Sequence, residues 1–98
     1  MTTANSIRGE AMALLGGMER KVCLTLGALA EIETALGTRG FGELAERMRN
    51  LSARDLIVVL AALLRGGGEH QLAETLGKAA IDPREAAQAV ARAFTASV

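Results

Sequence analysis

The apolar run from Leu56 to Leu64 is the feature that most limits what this chain can become. Ser52 stands before it, where a hydroxyl can accept from an unpaired N–H of a first helical turn, and Asp55 three positions on favours the same end electrostatically. Gly66-Gly67-Gly68 follows it, and no helix interior readily bears the backbone entropy of three glycines. The spacing predicts a helix over 51–66. At 100° per residue, Leu56, Ile57, Val59, Leu60, Leu63 and Leu64 share one broad arc, with Arg54 and Arg65 opposite. Val58, Ala61 and Ala62 lie with the arginines, so the expectation is a core helix whose outer edge is apolar enough to meet another chain. The run falls well short of the ~20 residues that span a bilayer.

With 98 residues the chain is expected to be one domain over 1–98: a hairpin over 8–26, a helical core over 26–65, a glycine hinge at 66–68 and C-terminal helices over 69–98. Hydrophobic residues make up 50%, yet Phe41 and Phe94 are the only aromatics, so the core must be built from thin helical layers. Eleven basic residues balance eleven acidic ones, and the balance holds on either side of Arg49. No field for nucleic acid or an anionic membrane results. Met1 to Ser6 is polar and aperiodic, reads as a loose end, and lacks the basic flank and apolar stretch of a secretory signal. Cys23 is the single cysteine; it allows no internal disulfide and suits a reducing interior.

Glu10 to Leu15 contains good helix formers, but Gly16-Gly17 follows, and Lys21 to Leu26 alternates with β-favouring types. The hairpin is the preferred reading, pairing Leu15 with Met18, Ala13 with Arg20 and Ala11 with Val22. Such a hairpin must pack on helices, and its open edges could accept a strand from another subunit. Thr25 caps a helix with Ala28, Leu29, Ile32, Ala35 and Leu36 inward, ended by Gly37. Phe41, Leu44, Ala45 and Met48 mark the next, with Glu43 and Arg47 as a surface pair and Asn50 closing it in the left-handed conformation. Leu72, Ala73 and Leu76 give a short helix ending at Gly77. Asp82-Pro83-Arg84-Glu85 opens a last one whose stripe is Ala87, Val90, Ala91, Phe94 and Val98. The predicted fold is mainly α, a small N-terminal β-hairpin on a bundle of about five short helices.

Residues for chemistry are scarce. His70 is the sole histidine, with no second ligand at metal spacing, and Cys23 has no base near it in sequence. Glu31 and Glu33 point apart on a helix and cannot share a proton, so they read as solvated. The triple glycine lacks the Gly-Lys-Ser/Thr of a phosphate loop. No catalytic residue, metal site or cofactor is expected. Gln71 to Gly77 with the helix from Pro83 superficially resembles a helix-turn-helix, but the second helix is alanine-rich and nearly neutral where a recognition helix needs polar and basic groups. A small DNA-binding regulator is therefore the alternative reading.

Cys23 to Glu33 with Ala35-Leu36-Gly37, and Leu51 to Ile57, resemble the two hallmark segments of a small protein of gene transfer agents and related tailed phages of alphaproteobacteria. Arg8-Gly9-Glu10 matches that family's opening before its hairpin, and Ala11 to Ala13 stand where it usually has a stronger strand. The family is similar to tail assembly chaperones and is also described as a tail-tube component. The resemblance implies a non-enzymatic tail morphogenesis factor that binds tape-measure and tail-tube proteins, with self-association possible and no nucleic acid or membrane partner; a structural tail component is a further alternative. Such a factor needs accessible apolar surface, for which Val58, Ala62, Val90, Phe94 and Val98 are the expected contact residues.

Overall fold

The computed structural model describes residues 9–97; the expected loose end at 1–6, Arg8 and Val98 lie outside them. Strands β1 (Glu10–Leu15) and β2 (Met18–Cys23) form a hairpin. Five helices follow: α1 (Leu26–Leu36), α2 (Gly40–Met48), α3 (Ala53–Gly66), α4 (His70–Thr75), prolonged by a 3-10 turn over Leu76–Lys78, and α5 (Pro83–Ala96). The mainly α fold with its N-terminal hairpin agrees with the sequence reading.

Local chemistry explains most of the boundaries. Gly16 and Gly17 both take positive φ, 63° and 83°, the primed turn whose twist suits a two-residue hairpin. The register follows, with Leu15 opposite Met18 and Ala11 opposite Val22. Ala13, Leu15 and Val22 are buried from the apolar face. Thr25 accepts from Ala28 N at 3.0 Å to start α1, and Gly37 ends it at φ 70°. Ser52 and Asp55 form a reciprocal capping box on α3. Asp82 accepts from Arg84 N at 2.8 Å, with Pro83 in the first turn of α5. Two expected termini differ: α4 stops at Thr75, with Gly77 inside the 3-10 turn that prolongs it, and α2 ends at Arg49 in the right-handed region, no non-glycine among the described residues having positive φ. Asn50 instead donates its N–H to the Arg47 carbonyl at 3.1 Å.

The centre of the fold is the second half of α3. Val59 to Leu64 are buried without interruption, at every angle around the helix, because α1, α4, α5 and β2 all pack on it. The expected apolar outer edge is thereby corrected. Ala61 is 8% exposed and Ala62 1%. Val58 and Arg65, on the same stripe as Ala62, share a cleft with Gly27, Ala30 and Glu31, so α1 runs over this edge. Arg65 binds there within the chain, donating from Nε and Nη2 to Glu31 Oε1 at 3.0 and 2.7 Å. Ile57, expected inside, is 43% exposed.

The hairpin's outward backbone is partly taken by side chains, contrary to the expectation of open edges. Met12 and Lys21 sit at a pair whose backbone groups point away from the ladder. Arg92 of α5 donates to the Met12 carbonyl at 3.1 Å, and Glu69 accepts from Lys21 N at 3.1 Å. Such capping blunts strand addition. Gly66 and Gly67 lie against β2 so closely that a Cβ on either would strike the carbonyl of Cys23 or Lys21. Close packing is thus a reason for these two glycines that the sequence did not show.

Candidate partner-binding groove

Helix α2 brings large apolar side chains to one side, Phe41, Leu44 and Met48, while α5 answers with Ala87 and Ala91. Alanines leave the space between the helices unfilled. What remains is an open groove of about 680 Å³, floored by Leu51 and Leu56 and walled by Val90 and Phe94. Thr95 is the one polar side chain lining it. Phe41 stands 72% exposed on its rim. A smaller cavity of about 200 Å³ adjoins through the shared Leu56, between α3 and the segment Leu76–Ala86, with Ile57 at its mouth. Together they form an apolar track along the first half of α3.

The expected contact residues are scattered by the fold. Val90 and Phe94 line the groove. Val58 lies elsewhere, in the shallow cleft between α1 and α3. Ala62, sealed under α1, presents no surface, and Val98 is outside the described residues. On α5 the buried positions are Ala86, Ala89, Val90 and Ala93, and the expected Ala87 and Ala91 are exposed. Alanine rows cannot choose a face; Glu85 accepting from Gly16 N at 3.3 Å and Arg92 on Met12 turn the helix toward the hairpin. Sequence reasoning missed Phe41, Met48, Leu51 and Leu56 as groove residues. The available signal was the mismatch between a bulky α2 stripe and the thin α5.

Beside the groove, Arg47 turns away from its expected partner Glu43. Its Nη2 donates to Asp55 Oδ2 at 2.8 Å and its Nη1 to the Leu36 carbonyl at 3.3 Å. Glu43 Oε1 instead accepts from Arg39 N at 3.1 Å. The Arg47 hydrogen bond, joined by the Ser52 N–H and opposed by burial, holds the Asp55 carboxyl below its ordinary value. A depressed carboxylate contributes stability above its unfolded pKa and loses it as pH falls through the folded one. Thermal melts from pH 6 down to about pH 3 are therefore expected to fall less steeply for Asp55→Asn than for the natural chain, which loses this contribution below about pH 4. Equal slopes would show that Asp55 does not drive the acid loss.

No group of three or more His, Cys, Asp or Glu that could hold a metal occurs among the described residues. Cys23 is buried, and burial first, then the Glu10 charge, pushes its thiol up, away from the nucleophilic thiolate. Glu31 and Glu33 are engaged rather than merely solvated, Glu33 Oε2 accepting from Gly40 N at 2.8 Å. No helix of the described residues is long and apolar enough to cross a membrane. What the surface offers is apolar shape.

The family described as phage tail tube protein, GTA-gp10, has a model that matches residues 8–98. The chain belongs to this family. No curated protein and no solved structure matches it. Membership makes this a tail-related protein of the gene transfer agent and phage kind, in agreement with the resemblance of its two hallmark segments. The match extends through α4 and α5, so the groove is built wholly from residues the family spans.

Proposed function

We propose that this protein is a non-enzymatic tail assembly chaperone, which holds an apolar helical segment of the tape-measure protein in the groove between α2 and α5 and hands it to tail-tube subunits in the bacterial cytoplasm. The observation that carries the reading is the groove itself: open, about 680 Å³, with Thr95 as its one polar side chain and Phe41 exposed on its rim. An amphipathic helix presents apolar side chains at i, i+3, i+4 and i+7 to such a surface. Zero net charge suits recognition by shape and apolar area instead of by field.

The test is co-expression with the tape-measure protein of the same source. A soluble complex that co-purifies supports the reading; an insoluble tape measure and no complex overturns it. Phe41→Ser is expected to leave the melting temperature within about 3 °C of the natural chain, since an exposed side chain contributes little to stability, and to abolish the complex. A structural role in the tail is the second reading, favoured by the family's description as a tail tube protein. Mass spectrometry of purified particles separates the two, because a tube component is present in many copies and a chaperone is left behind.

A further inference from the structure

Helix α2 is the least anchored element of the fold. Leu44 is its one buried side chain, while Phe41 and Ala45 are exposed. Nine residues with glycine at 40 and 42 are too short and too glycine-rich to stay helical without support. Gly37 and Gly40 sit at φ 70° and 75° on one side, and the short link through Asn50 and Leu51 lies on the other. Arg47 ties the helix down at both neighbours, the last carbonyl of α1 and the first-turn carboxylate of α3. The bond from Gly40 N to Glu33 stays at the pivot and does not oppose rotation about it.

We propose that α2 is a hinged flap, latched by Arg47, whose outward swing opens the groove surface of Leu51, Leu56, Val90 and Phe94 to the partner's apolar helix. Swinging withdraws Leu44 and the half-buried Met48 from the core and widens the groove, and the incoming helix between α2 and α5 covers the apolar surface that this exposes. The purpose of the flap rests on the docking reading above; the motion does not. A guanidinium donating charge-assisted hydrogen bonds to two acceptors fixes geometry as well as adding energy, and a partly exposed one is weakened by salt.

Amide hydrogen exchange on the full chain tests this. The amides of 40–48 are expected to exchange roughly a hundredfold faster than those of Leu60 to Leu64, through local opening. Arg47→Ala is expected to speed 40–48 by roughly a further tenfold and leave Leu60 to Leu64 unchanged. Should that variant not fold, raising salt from about 0.05 M to about 1 M on the natural chain gives the same selective acceleration. Protection over 40–48 equal to that of α3, or indifference to both the substitution and salt, would overturn the flap. A tape-measure complex that forms with exchange over 40–48 unaltered also overturns it, while upholding the groove as the docking face. Selective opening without any complex upholds the flap and removes the docking reading.

Discussion

Gly67→Ala is expected to cost about 3 kcal/mol, at the upper end of overpacking effects, and to lower the melting temperature by roughly 12 to 24 °C. Conformation is not the reason, for Gly67 has φ −86°, which alanine adopts freely. The added methyl would strike the Lys21 carbonyl, so either the end of α3 or the edge of β2 must retreat. Retreat also strains the Glu69 contacts, from Lys21 N at 3.1 Å and from Arg20 Nη1 at 3.3 Å, that fasten the hairpin. Gly68→Ala is the control: it meets nothing within 4 Å but sits at φ 86°, and left-handed strain of about 1 kcal/mol is all it should show. A Gly67→Ala protein melting within about 3 °C of the natural chain would mean that α3 and β2 are not in backbone contact.

Leu60→Ala is expected to cost about 2 to 5 kcal/mol by urea unfolding, a large share of the ~5 to 15 kcal/mol that holds a small domain together. Leu60 is 1% exposed and borders the cavity of about 200 Å³ under α3. Truncation would enlarge a space already present, and the surrounding helices relax only partly into it. Midpoint should shift at constant denaturant slope. Ile57, one turn earlier and 43% exposed, supplies the contrast: Ile57→Ala should cost under about 1 kcal/mol. Equal costs at the two positions would show that the second half of α3 is not the centre of the core.

The elements and several of their ends were legible in the sequence, those whose setting interactions span three residues or fewer. Ser52 with Asp55, Thr25 with Ala28, Asp82 with Arg84, and the Gly16-Gly17 turn with its whole register are of this kind. Family resemblance was legible for the same reason, since its hallmark segments are local. Faces were less so. Leucine declares its side of a helix, whereas the alanines of α5 fit inside or outside with little difference in burial energy. Ala62 shows the same ambivalence on α3. Charged partners were chosen across the fold: Arg47 took Asp55 over Glu43, and Arg65 took Glu31.

The sequence by itself determined where α1, α3 and α5 begin, how the hairpin is registered, and that the fold is mainly α, because side-chain caps, turns and hydrophobic periods are local facts. Only the tertiary structure decided that α1 covers the outer edge of α3, that Gly66 and Gly67 serve backbone contact, and that a groove opens between α2 and α5. Each of those depends on the volumes that two distant segments bring to one place, and a gap between bulky and small faces exists only once the faces have met.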